Sequence, residues 1–238
     1  MSEGSGEVLR WSAFERLEHV ALIVILFMFI ISGLPFLSLS PHPVGAASPW
    51  SWVFGWMVSP PVTLQVYMGI HLAAAALYLA LGIVHLLYHS LVNRRTDIWI
   101  RGRDFSDAWQ TIKYYVGSAD RMPKFRFHEP TEKILVYWGV AVILMIGQGI
   151  TGIILYYSSL FSVLVRSVAL DLHIIFFFLI LYVIMMHIYM TAVYRENRPL
   201  LEAMFGNGRV SRSFAEERFP EWIGGDPADG RKEREGED

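Results

Sequence analysis

The chain has 238 residues, 54% of them hydrophobic, a positive mean hydropathy and a formal net charge of −2. That balance is high for a water-soluble domain and ordinary for a membrane protein, and no basic block interleaved with aromatics offers itself to nucleic acid. There is no cysteine, which excludes disulfides, iron–sulfur clusters, thiolate metal sites and covalent haem attachment on this chain, so that any redox centre must be held by histidine or methionine.

Residues 1–18 are mixed in charge (Glu3, Glu7, Arg10, Glu15, Arg16, Glu18). They lack the apolar core and cleavage site of a signal peptide and are expected to be a retained lead-in. From Val20 to Asn93 there is no Asp, Glu, Lys or Arg, and a second such run goes from Ile134 to Val165. A helix needs about 20 apolar residues to cross the hydrocarbon core. Four segments qualify, at 19–38, 67–91, 134–157 and 168–194, and none alternates like a barrel strand. The expected fold is all-α: a transmembrane four-helix up-and-down bundle over residues 19–194, with a tail at 195–238.

The linker 39–66 is uncharged but broken by Pro41, Pro43, Pro60 and Pro61, and it carries Trp50, Trp52 and Trp56. It reads as an interfacial segment with a short helix around 49–57, a re-entrant loop being the alternative. Residues 195–222 read as a short helix and turn. Residues 224–238, rich in Gly and charge, read as disordered. Of the 20 Lys and Arg, two precede span 1, nine lie in 92–133 and eight follow span 4. The positive-inside rule then puts both termini and the 92–133 loop in the cytoplasm of an inner-membrane protein. Spans 1 and 3 would run outward, spans 2 and 4 inward.

The eight histidines are His19, His42, His71, His85, His89, His128, His173 and His187. An imidazole in lipid is costly without a partner, so those in the spans are functional candidates, a plain hydrogen bond to backbone being the alternative for any one. His173 and His187 stand 14 residues apart on span 4. That is about 21 Å along a helix and about 40° around it, so both occupy one face at two depths. Two stacked b-type haems need axial ligands so arranged. His71, early in span 2, matches His173 in depth and would share the outer haem. For the inner haem His187 has two candidate partners. One is His19 at the head of span 1. The other is His85, 14 residues after His71 on the same face. His89 reads as a surface or propionate contact.

The opening Arg10-Trp-Ser-Ala-Phe-Glu-Arg-Leu-Glu-His19 resembles the start of the gamma subunit of membrane-bound formate dehydrogenase, a superfamily shared with the cytochrome b subunits of Ni–Fe hydrogenases and thiosulfate reductases. Ser-Gly33, His71, Thr-Gly152, His173, His187-Ile-Tyr-Met190, Gly208-Arg-Val-Ser211 and Phe219-Pro-Glu-Trp222 follow in order, so the resemblance covers about residues 10–222. It implies axial pairs His19–His187 and His71–His173, which favours His19 over His85. It implies haem packing on Gly33 and Gly152, for which close helix packing is the other reading. It also implies a quinone site, for menaquinone or ubiquinone, on the cytoplasmic side. Glu129 stands there where that gamma subunit has an asparagine, with His128 beside it; an ordinary solvated loop is the alternative. The implied partners are an iron–sulfur subunit and a molybdenum, tungsten or Ni–Fe catalytic subunit, where substrate chemistry would occur. The departure from the family lies after His173. Ile174, Ile175 and Phe176–Phe178 replace small residues there and put the outer haem's packing in question. A rival class, a proton-coupled transporter using intramembrane histidines, lacks carboxylates in the spans other than Asp171 and lacks an inverted repeat.

Overall fold

The structure, a computed structural model, describes residues 6–39, 50–58, 62–93 and 98–224. His42 and the prolines at 41, 43, 60 and 61 therefore lie outside the described residues, as does the tail beyond Gly224. Four helices are long and apolar enough to cross a membrane: Ala13–Leu39, Leu64–Val92, Glu132–Tyr156 and Val163–Val193. Each expected span is present. The chain divides into two compact units, residues 13–94 and residues 1–12 together with 95–238.

The unit of residues 13–94 is a helical hairpin. Helix α1 (Ala13–Leu39) begins six residues before His19, because Glu15, Arg16 and Glu18 are helical despite their charge. His19 thus stands inside the helix rather than opening it. Pro35 lies within α1; it cannot donate a backbone hydrogen bond, and apolar packing has to carry the helix across that point. A short α2 (Ser51–Phe54) and one 3₁₀ turn (Gly55–Val58) follow, close to the short helix expected at 49–57. Helix α3 (Val62–Leu87) widens into a π turn at Tyr88–Val92. Phe14 stacks on Tyr88, ring centroids 3.9 Å apart, and holds the head of α1 against that turn.

The other unit contains spans 3 and 4 and the polar segments attached to them. Helix α4 (Gly102–Tyr115) was not expected within the 92–133 loop. Asp104 closes a capping box by accepting from the Arg101 backbone N–H at 2.7 Å. Gly117, at φ +74°, lets the chain turn out of the helix, with Ser118 N–H on the Lys113 carbonyl and Gly117 N–H on that of Tyr114. This is a Schellman ending, and the left-handed backbone is why glycine stands there. Span 3 starts wide, as a π helix over Glu132–Leu144, and tightens into α5 (Met145–Tyr156). Span 4 is α6 (Val163–Ile188), capped by the Ser162 hydroxyl, and it also ends in a π turn, Tyr189–Val193.

After span 4 come α7 (Arg198–Phe205), β2 (Arg209–Ser211), α8 (Arg212–Arg218) and α9 (Pro220–Ile223). Strand β2 pairs antiparallel with β1 (Glu7–Leu9), Val8 opposite Val210. This two-stranded ribbon departs from a purely helical expectation. Val210, Ala203 and Ala215 form its core, covered by Val8, Trp11, Leu200, Phe214, Trp222 and Ile223. Arg10 is buried inside an aromatic cage, its guanidinium carbon 3.8 Å from the Phe127 ring centre, 4.0 Å from that of Phe219 and 4.8 Å from those of Trp11 and Trp222. It also donates to the Phe127 carbonyl. Desolvated cation–π contacts are each worth about 2 kcal/mol, so the Arg10-Trp11 and Phe219-Pro-Glu-Trp222 motifs meet in one structural latch.

The most enclosed ion pair among the described residues of this unit is Lys133–Asp104 at 2.6 Å. Removing one partner strands the other's charge. Asp104→Ala is expected to destabilise the protein by about 3–5 kcal/mol, read by thermal unfolding in detergent. Pairing it with Lys133→Met should recover part of that loss.

Candidate functional site

Three of the histidines in the spans are oriented through Nδ1 by a hydroxyl or a carboxylate on a neighbouring helix. His71 on α3 makes a 2.9 Å contact through Nδ1 with Ser32 Oγ on α1. Ser32 has a single proton, and its hydroxyl lies 2.6 Å from the Met28 carbonyl one turn back, with Phe29 O at 3.3 Å. The hydroxyl proton goes to the helix backbone, so towards His71 the oxygen accepts. His71 is then the Nδ1–H tautomer, which puts the lone pair of the ring on Nε2. Phe29 packs edge-on against the same ring, centroids 5.1 Å apart.

The second unit repeats this construction on different helices. His173 on α6 meets Thr151 Oγ1 on α5 at 2.8 Å through Nδ1. Thr151 in turn donates to the Gly147 carbonyl at 2.8 Å, with Gln148 O at 3.2 Å. The same proton count makes His173 an Nδ1–H donor with Nε2 free of that proton. In both units the hydroxyl residue is followed by glycine. A Cβ on Gly33 would lie 3.8 Å from His71 Cε1, and one on Gly152 would lie 3.6 Å from His173 Cε1. A methyl group at either position would make ordinary van der Waals contact with the ring, so each glycine lies beside an imidazole without being demanded by it. His71 stands nine residues after the start of α3 at Val62, and His173 ten after the start of α6 at Val163. Both helices begin earlier than expected from the sequence.

His187, 14 residues further along α6, donates through Nδ1 to the Glu132 carboxylate at the head of span 3, 2.7 Å away. Sequence reasoning missed Glu132. The available signal was its place as a carboxylate at the mouth of span 3, on the same side of the chain as the end of span 4. Donation from Nδ1 to a carboxylate is the arrangement that orients metal-bound histidines. The donor set fits haem iron, since imidazoles fixed through Nδ1 present Nε2 as the ligand atom when that nitrogen is unprotonated.

His19 is half-buried on α1, next to Glu18. His85 and His89 both approach Glu18 Oε2, at 3.3 and 3.4 Å, so the alternative inner ligand has a carboxylate of its own. The bulky residues after His173 find their space in the neighbouring helix. Phe176 lies so close to Gly147 that a Cβ there would come within 2.6 Å of its ring. The small residue sits on span 3 instead of span 4.

Glu129 is buried and accepts from Thr131 Oγ1 at 2.8 Å, Tyr115 Oη at 3.2 Å and Arg218 at 3.2 Å. Asn197 joins them, donating to Tyr115 Oη at 3.0 Å and to the Met190 carbonyl at 2.9 Å, while Arg218 donates to its Oδ1 at 2.9 Å. This network joins the end of α4, the start of span 3, the end of span 4 and α8. Burial pushes the Glu129 carboxyl above the ordinary range; Arg218 opposes this, Glu132 adds to it, and the hydrogen bonds from Thr131 and Tyr115 pull back. Burial also raises Tyr115, with the Glu129 charge adding. His128, beside Glu129, packs against Phe127 and Trp11.

Compared with known proteins, residues 10–207 match the family described as prokaryotic cytochrome b561. No curated protein matches the chain significantly.

The raised carboxyl of Glu129 has a thermodynamic signature. A folded state that holds its proton more tightly than the unfolded chain gains stability that is complete below the ordinary carboxylate range. That stability is lost as pH rises through the elevated folded value. Relative to Glu129→Gln, the unmodified protein is expected to lose thermal stability as pH increases from about 4 towards neutrality. Parallel profiles for the two proteins would show that Glu129 is not proton-retaining.

Proposed function

The chain belongs to the prokaryotic cytochrome b561 family, multi-pass membrane electron carriers of the cytochrome b type, and on that premise we propose that it is the membrane anchor of a respiratory oxidoreductase complex of the formate dehydrogenase kind. In this reading two haem b groups link an outer-face iron–sulfur subunit with a quinone, menaquinone or ubiquinone, on the cytoplasmic side. Substrate chemistry belongs to a molybdenum or tungsten subunit. A Ni–Fe hydrogenase or a thiosulfate reductase would use the same anchor.

The observation that carries the reading is the repeated hydroxyl–glycine–histidine arrangement. Ser32-Gly33 with His71 and Thr151-Gly152 with His173 each hold an imidazole as the Nδ1–H tautomer beside backbone stripped of a side chain. His71 and His173 are assigned to the outer haem, His19 and His187 to the inner one. The pairing rests on the resemblance and on matched depth along each helix. When bound, haem iron between two imidazoles supplies one-electron exchange. The protein's part is to fix the ring planes, exclude water and set the distance between the two depths, about 21 Å along α6.

At the charged ends of spans 3 and 4, Glu132 orients His187. Three residues earlier, the buried Glu129 carboxyl lies within reach of Arg218 and Tyr115, and burial raises its proton affinity. A carboxyl so raised suits proton exchange with a quinone. The positive-inside distribution of Lys and Arg supports a cytoplasmic position for these groups. Proton uptake there, with electrons moving inward, would build membrane potential.

Purified protein is expected to show b-type bands in a reduced-minus-oxidised spectrum, with two haems per chain. Glu129→Gln should slow reoxidation of the reduced protein by a quinone at least about tenfold without altering the spectrum. A colourless protein would end this reading, and unchanged kinetics would remove Glu129 from the quinone site.

A further inference from the structure

Glu18, His85 and His89 form a second histidine cluster, contained wholly within the α1–α3 hairpin and not used by the function above. His85 and His89 are four residues apart, one turn of helix, and their ring centroids lie 4.3 Å from each other. Both aim a nitrogen at one atom, Glu18 Oε2 on α1: His85 Nδ1 at 3.3 Å and His89 Nε2 at 3.4 Å. The three candidate ligand atoms lie within 4.8 Å of one another.

These distances decide between two readings. A charge-assisted hydrogen bond between imidazole and carboxylate is about 2.7–2.9 Å long, as His187–Glu132 shows in this chain at 2.7 Å. The Glu18 contacts are half an ångström longer. Two ligands about 2.0–2.1 Å from a tetrahedral ion stand about 3.3–3.4 Å apart, which is the spacing found. The other carboxylate oxygen, Glu18 Oε1, is buried and has no hydrogen-bond partner among the described residues. A cation held at Oε2 would sit against this enclosed carboxylate and offset its charge.

We propose that Glu18, His85 and His89 bind a divalent transition ion of the zinc class, through Oε2, Nδ1 and Nε2 respectively. Two imidazoles and a carboxylate are a recurrent zinc donor set, and three protein ligands leave a fourth position for water. The side chains are 12%, 31% and 19% exposed, so the site is sheltered and still reachable from the aqueous side. Its placement gives it a task. Glu18 is near the start of span 1 and His89 at the end of span 2, so the ion clamps the two ends of the hairpin together. The π turn at Tyr88–Val92 and the Phe14–Tyr88 stack sit beside it; π turns often mark functional positions in helices.

The test uses full-length protein in detergent with its native haem content, freed of adventitious metal by a chelator and titrated with zinc sulfate against a chromogenic competitor. One zinc per chain is expected, and Glu18→Gln and His89→Gln should each weaken binding at least about 100-fold, more than loss of an outer supporting group costs. Zinc K-edge absorption should report two imidazole nitrogens and a carboxylate oxygen at about 2.0–2.1 Å. His89→Gln should keep the haem absorbance of the parent. Equal zinc affinity in parent and variants, or a coordination sphere without imidazole, overturns the proposal. So does loss of haem in His89→Gln, which would assign that ring to the haem. A colourless protein that still binds zinc through these three groups would sink the haem reading and leave this one standing.

Discussion

A polar ring inside an apolar helix hairpin has to satisfy its N–H, and that requirement organises this protein. An unsatisfied buried donor costs about 1–3 kcal/mol. Ser32, Thr151 and Glu132 each accept from the Nδ1 of one histidine. Because the two hydroxyls have already given their protons to carbonyls one turn back, the direction of each bond is fixed, and with it the tautomer. The bond that satisfies each ring also fixes which way it faces. The glycines after Ser32 and Thr151 each lie beside one of these rings.

The polar end of residues 1–12 and 95–238 is built on a different principle. A small core around Val210 carries the ribbon, and Arg10 is wedged among four aromatic rings. The Glu129–Arg218–Tyr115–Asn197 network and the Lys133–Asp104 pair tie the same segments to the head of span 3 and the end of span 4. Charged groups are concentrated where the spans leave the apolar region and are nearly absent within it. That distribution is what lets one short chain contain four membrane-length helices and still position a buried carboxylate beside them.

Much of this was legible in the sequence, for physical reasons. Charge-free runs of 20 residues or more have few structural outcomes, so the four spans were readable to within a few residues. The error was concentrated at their heads, where Glu15, Arg16 and Glu18 hide a helical turn from any reading based on hydropathy. The 14-residue spacing of His173 and His187 was readable because helical periodicity is rigid. Their partners were less so. Ser32 and Thr151 are unremarkable in composition, and they matter only because they lie across a hairpin from a histidine. Glu132 was passed over for Glu129, three residues away. Helix α4 was missed because its 14 residues are amphipathic and not a membrane-length apolar run. The Arg10 and Phe219–Trp222 motifs were visible only as a resemblance, and the cage they form explains why they occur together.

The central claim is that imidazoles from two different spans share each iron. The most direct measurement is the haem content of His71→Ala, His173→Ala and the double variant, quantified per chain alongside the redox potential of the haem that remains. The account predicts that all three proteins keep one haem, the same one in each. If the single variants kept different haems and the double variant kept none, His71 and His173 would not be partners, and the account would be contradicted.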